Sequence, residues 1–216
     1  MKRIISLLVI GWLLLLLAAC GNASAPQNTQ TSEESSTESS DTSSQRMNGE
    51  ESSDHQESNI LVAYFSCTGN TEAAAETAAE LLSADLYEIV PEDPYKEEDL
   101  AYNSSTRASE EQQDPNARPA ISDEVEDMSR YDTVLVGYPI WSGQAPRIIN
   151  TFLESNDFSG KTVIPFCTSS SDGIEDSEEA LHDMYEDSIQ FGEGARFPAG
   201  AEQDEIRTWL SENDLL

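Results

Sequence analysis

Beyond residue 59, short apolar runs of strand length alternate with segments whose apolar residues recur at helical spacing. Ile60-Leu61-Val62-Ala63-Tyr64-Phe65 is a continuous apolar run, and residues 72–83 follow with high helix propensity and an alanine- and leucine-rich face. Asp85-Leu86-Tyr87-Glu88-Ile89-Val90 alternates polar and apolar as a half-buried strand does, and Pro91 ends it. The helix between these two runs is long enough for a right-handed crossover, which predicts parallel pairing. Thr133-Val134-Leu135-Val136-Gly137-Tyr138 reads as a central strand buried on both faces, and residues 147–155 as a helix opened by Pro146. Residues 162–167 form a fourth strand in spite of Pro165, and residues 174–187 another helix. The fifth strand is Ile189-Gln190-Phe191 or the neighbouring Ala195-Arg196-Phe197. Residues 202–211 close the chain as a helix with Ile206, Trp209 and Leu210 turned inward. Residues 92–118 are acidic and irregular, a length that implies function or short helices, and residues 122–130 read as a short helix capped by Ser122. The alternation predicts an α/β fold: an open, doubly wound parallel sheet with helices on both faces.

The first 58 residues break this pattern. Met1-Lys2-Arg3 is a short basic start, residues 4–19 are almost wholly apolar, and Leu17-Ala18-Ala19-Cys20 follows. This reads as a signal peptide over residues 1–20, and its ending resembles the lipobox of bacterial lipoproteins. That likeness implies cleavage before Cys20 and lipidation of its sulfur; an uncleaved membrane anchor is the alternative. Two or three acyl chains would hold the chain firmly, at about 0.8 kcal/mol per buried methylene. Residues 21–58 are rich in Ser, Thr, Glu, Gln, Asn and Asp and too poor in apolar residues to offset their ordering entropy, so they read as a disordered tether to a domain at 59–216. His55 within it has no second ligand at a useful spacing.

Charge narrows the partners. The chain carries 42 acidic against 11 basic residues, a net charge of −31, and residues 59–216 alone hold 34 acidic and 8 basic, a balance of −26. Such a surface repels nucleic acid and anionic lipid headgroups and attracts a basic docking patch, while also serving solubility. Beyond Cys20 the cysteines are Cys67 and Cys167, expected as small buried packing residues, with a disulfide as the alternative. His182 lies in a helix and is read as solvent-facing, and no metal site is expected.

The candidate chemistry lies at three strand ends, where open α/β sheets bind their ligands. The first is Ser66-Cys67-Thr68-Gly69-Asn70-Thr71, between a strand and a helix. Such a turn can cradle a phosphate on unpartnered helix amides and side-chain hydroxyls, or it can be a tight turn capping a helix. It lacks the lysine of nucleotide triphosphatase loops and the glycine spacing of dinucleotide folds, so a phosphate here would meet neutral donors. The second turn is Pro139-Ile140-Trp141-Ser142-Gly143, whose Trp141 offers a planar face to a planar heterocycle. The third is Thr168-Ser169-Ser170-Ser171-Asp172-Gly173, hydroxyl-rich again.

Taken together, Tyr64 to Thr71, Gly137 to Trp141 and Pro165 to Ser169 resemble the flavodoxins of the small flavodoxin-like group, from residue 59 to the end. The resemblance implies a five-stranded sheet of order 2-1-3-4-5, non-covalent FMN and electron transfer. It assigns the phosphate to Ser66, Cys67, Thr68, Gly69, Asn70 and Thr71. The isoalloxazine ring falls to Pro139, Ile140, Trp141, Ser142 and Gly143 on one side, and to Thr168, Ser169, Ser170, Ser171, Asp172 and Gly173 on the other. Ser142 stands where close relatives commonly have a second tryptophan, and the serine run where they have glycines. No residue reads as an essential acid, base or nucleophile, so a redox carrier is expected rather than a turnover enzyme. The expected partner is a redox protein or small electron acceptor, and the expected state is a monomer, lipid-anchored on the extracytoplasmic face of a bacterial membrane. A flavin-dependent NAD(P)H reductase of the same fold and a flavin-free acidic interaction module are the alternatives.

Overall fold

The structure, a computed structural model, describes residues 59–216 apart from 102. The apolar leader, Cys20, the tether and His55 lie outside the described residues. In chain order the elements are β1 (Ile60–Tyr64), α1 (Asn70–Leu82), β2 (Asp85–Glu88), α2 (Arg107–Gln113), β3 (Thr133–Pro139), α3 (Arg147–Ser155), β4 (Thr162–Thr168), α4 (Glu175–Tyr185), β5 (Gln190–Phe191), β6 (Ala195–Phe197) and α5 (Gln203–Glu212). All ladders between strands are parallel, in the order β2-β1-β3-β4-β5, with β6 also on β4. The predicted doubly wound sheet of order 2-1-3-4-5 is therefore present.

Alternation along the strands sends side chains to two cores. Val62, Tyr64, Leu135, Ile164 and Phe166 meet α1 and α5, where Ala74, Ala75, Ala78 and Ala79 let α1 lie close to the sheet and Ile206, Trp209 and Leu210 are buried. Leu61, Ala63, Phe65, Val134, Val136 and Tyr138 meet α3 and α4 on the other face.

The fifth position is split, and both segments read as candidates are strands. β5 stops opposite Val163 and β6 starts opposite Phe166. Gly192 N donates to Val163 O at 2.9 Å, and by two-residue alternation the Pro165 nitrogen faces the same edge with no hydrogen to give. The ladder breaks there, and Gly194 lets the chain pass, since a β carbon at that position would lie 2.7 Å from Pro165 O.

Two expectations need correction. Residues 122–127 are not helical: Ser122 donates its amide to Val90 O beside an antiparallel bridge between Pro91 and Ile121, so only a single 3-10 turn forms at Met128–Arg130, capped by Asp127. His182 is not solvent-facing; it is half-buried, its ring stacked 4.4 Å from Phe191, and Nε2 is buried without a partner. Cys67 and Cys167 are free thiols, Cys167 buried and Cys67 partly so, in keeping with their reading as packing residues and not with the disulfide alternative. Among its described residues the long acidic segment contains one α-helix, α2.

Candidate functional site

The carboxyl ends of β1, β3 and β4 open into a cleft of about 810 Å³, within the range typical of small-molecule sites. Of the sequence-predicted residues, Cys67, Thr68, Asn70, Pro139, Ile140, Trp141, Ser142, Thr168, Ser169, Ser170, Ser171 and Asp172 line it. Ser66, Gly69, Thr71, Gly143 and Gly173, also predicted, are not among the residues that line it.

The first turn serves both of the purposes open to it. Gly69 takes a φ of 82°, left-handed backbone that favours glycine, and precedes α1 as its cap residue with no capping side chain. The first intrahelical bond is Ala73 N to Gly69 O, so the amides of Asn70, Thr71 and Glu72 have no partner within the helix. Ser66 Oγ accepts from Gly69 N at 3.1 Å and Thr68 Oγ1 from Asn70 Nδ2 at 3.2 Å. Each hydroxyl thus shapes the loop as an acceptor and keeps its own proton to donate to an oxyanion. Thr71 and Thr168, both buried, share a 2.7 Å hydroxyl–hydroxyl bond, which ties the first turn of α1 to the end of β4.

Trp141 begins a two-residue turn, with reciprocal bonds between Trp141 and Gln144 at 2.9 and 3.1 Å. Ser142 (φ 51°) and Gly143 (φ 78°) both take left-handed backbone, as such a turn requires. The indole packs edge-on against Phe65 (5.4 Å) and Tyr95 (5.1 Å). In the third turn Ser169 Oγ accepts from Asp172 N and Ser171 N, and Ile140 N donates to Thr168 O, joining the second and third turns.

The family model described as Flavodoxin matches residues 59–213. The chain belongs to the flavodoxin family. It is 29% identical over 167 residues to a flavodoxin of Maridesulfovibrio salexigens, an alignment covering 71% of this chain and 95% of the relative. Its fold superposes on a protein of Bacteroides eggerthii classed as a flavoprotein with a TM-score of 0.68 at 44% identity, covering 72% of this chain and 97% of the other. A flavoprotein of Lactobacillus acidophilus, solved in complex with FMN, has the same fold with a TM-score of 0.55 at 22% identity, over 69% of this chain and 97% of that one.

One wall of this flavodoxin's cleft went unread in the sequence. Leu100, Ala101, Thr106, Ala108, Ser109 and Gln112, from the acidic segment, face the three turns, and Ala199 adds to the rim. The unusual length of that segment and the Thr106 cap, whose hydroxyl accepts from Ser109 N, are the signals that mark it. The wall is held by charge and aromatic contact. Arg107 stacks 4.2 Å over Tyr95 and bonds Glu111 at 2.8 Å and Asp93 at 3.1 Å, while Tyr95 donates its hydroxyl to Glu111. Burial, then the Glu111 carboxylate, push the Tyr95 phenol far up, so it stays protonated. Burial also pushes the Cys67 thiol up to about 11, with Arg107 opposing, which leaves it a neutral wall of the cleft and not a nucleophile. Asp172 is the one formally charged residue lining the cleft, and no Lys or Arg does so among the described residues. Nor do the described residues contain a group of three His, Cys, Asp or Glu side chains able to hold a metal.

Proposed function

We propose that this flavodoxin binds FMN and carries electrons between redox partners on the outer face of a bacterial membrane. The observation that carries the cofactor reading is the uncapped first turn of α1 opening, with its hydroxyl-bearing loop, into the same cleft as Trp141. Neutral amides and hydroxyls from residues 66–71 suit a phosphate in a cleft that no Lys or Arg lines among the described residues. Trp141, flanked by Ile140, suits a planar ring, and the 168–173 turn suits the ring's polar edge. FMN, when bound, supplies the one- and two-electron redox chemistry; the chain binds and orients it and shields it from water.

A carrier is favoured over a direct nicotinamide-dependent reductase on electrostatic grounds. A dinucleotide brings several negative charges, and the cleft has no basic side chain to receive them while the surrounding domain is strongly acidic. A partner with a basic docking patch fits that surface. Export and lipid attachment at Cys20 rest on the basic start, the apolar leader and the Leu-Ala-Ala-Cys ending.

Titration of the full chain with FMN tests the cofactor reading. Quenching of flavin fluorescence to a defined end point is expected, and Thr68→Val, at a hydroxyl that lines the cleft, should weaken FMN about tenfold while leaving riboflavin, which has no phosphate, unchanged. Absence of quenching would falsify it. Mass spectrometry of the membrane fraction should find a diacylglyceryl group on Cys20 as the new first residue, and an intact leader would exclude the lipid anchor.

A further inference from the structure

We propose that Gln112, on α2, is the positioning residue for the loop that carries Trp141, and that it thereby sets how firmly the site holds a flavin ring; the second half of this rests on the FMN reading above. Gln112 reaches across the cleft wall and uses every polar atom it has. Its Nε2 donates to Trp141 O and to Ala145 O, both at 3.1 Å, so both amide hydrogens are used. Its Oε1 accepts from Arg147 N at 3.1 Å, and Arg147 Nη2 returns a bond to Gln112 O at 2.9 Å.

Each of these bonds fills a need that the loop cannot meet itself. α3 opens after Pro146 with no side-chain cap, and the amide of Arg147, its first residue, lies where no intrahelical acceptor exists. Gln112 supplies that acceptor from another element. The turn at residues 141–144 is closed by the Trp141 and Gln144 pair, and Gln144 Nε2 donates to Asp176 O at 3.2 Å, which ties its far end to α4 but leaves the Trp141 carbonyl to be held from elsewhere. Gln112 joins both ends of the turn to one amide group. Tyr95, on the same wall, presses edge-on against the Trp141 indole, so the ring and the carbonyl of Trp141 are held from the same side. α2 has only seven residues, too few to be stable alone, and its own place is fixed by the Thr106 cap, buried Ala108 and the Arg107, Glu111 and Tyr95 contacts. Only a side chain of glutamine's reach with two donors and one acceptor makes this set of bonds.

The test uses the full chain and two readouts. In flavin-free protein, the emission lost in Trp141→Phe isolates the Trp141 signal. Gln112→Met keeps the bulk and removes the bonds; it should shift that signal to longer wavelength as the indole loosens. Gln112→Met should also raise the dissociation constants of FMN and riboflavin by the same factor, about tenfold, whereas Thr68→Val raises that of FMN alone. Gln112→Leu, which is neutral and likewise makes none of the side-chain bonds, should do the same and serves if the Met variant does not unfold cooperatively. A wild-type chain that binds neither flavin overturns the FMN reading, while the Trp141 emission still decides the role of Gln112. Wild-type emission and wild-type constants in Gln112→Met, or a loss confined to FMN, overturn the proposal.

Discussion

Gly137 faces Phe166 directly across the β3–β4 ladder. A β carbon at Gly137 would lie 2.6 and 2.9 Å from Phe166 Cε2 and Cε1 and closer still to Cζ. The ring has nowhere to retreat: it is fully buried, with its centroid 5.6 Å from that of Trp209 and 6.3 Å from that of Phe197. Overpacking a filled core typically costs about 1–3 kcal/mol, and a methyl driven against three ring carbons places Gly137→Ala at about 3 kcal/mol. A domain with a stability of about 5–15 kcal/mol still folds after such a loss. Urea unfolding should show a lower midpoint with an unchanged slope. Phe166→Leu, which opens a gap and costs about 1–2 kcal/mol alone, makes room for the added methyl. The double variant should be more stable than the sum of the two changes by about 1–2 kcal/mol. Simple additivity, or a Gly137→Ala loss under about 0.5 kcal/mol, would refute the claim that ring and strand interlock here.

Three further outcomes follow from the electrostatics. Alkylation of Cys67 by iodoacetamide at pH 8 should run about a hundredfold slower than that of an unperturbed thiol, because a thiol held near 11 has little thiolate there; peptide mapping reads the rate, and ordinary reactivity would contradict the burial argument. Arg118 grips Glu154 with two bonds of 2.7 Å and holds its carboxyl below the ordinary glutamate value, aided by the Tyr185 hydroxyl. A lowered carboxyl stabilises above its unfolded value of 4.5 and loses that contribution as pH falls through the lowered one, so the thermal midpoints of wild type and Arg118→Ala should converge below pH 4.5; a constant gap down to pH 3 would sink this. Glu72 places a carboxylate in the first turn of α1, where it opposes a phosphate. Glu72→Gln should therefore tighten FMN about threefold at low salt and leave riboflavin unchanged, an effect of about 0.6 kcal/mol; equal changes for both flavins would place Glu72 away from the phosphate.

The sheet was legible because its signals are local and repeated. Period-two and continuous apolar runs fix β1, β3 and β4, and the alanine face of α1 and the inward Ile206, Trp209 and Leu210 are as the periodicity predicts. The three turns were legible because each is anchored to a strand end. Ser122 was misread because an extended residue that pairs its amide with Val90 looks, in sequence, like a helix cap. His182 was misread because the ring that covers it, Phe191, arrives from a strand of two residues. The role of Gln112 left no trace, since its partners lie 29 to 35 residues away and a glutamine on a short acidic helix ordinarily faces water.

The bond between Thr71 and Thr168 spans 97 residues of chain. Between them lie the crossover to β2, the whole acidic segment with α2, and β3, so none of the smaller pieces that form early can contain a finished cleft. Its donors are gathered only after β1, β3 and β4 are side by side. A ligand that needs both hydroxyl turns at once has nothing to grip in a partly folded chain and binds only the completed fold. Loading therefore follows folding, and bound cofactor raises the cost of unfolding by RT ln(1 + [L]/Kd), about 2.7 kcal/mol at a hundredfold excess over Kd. The site acts as a latch that only the completed fold can set.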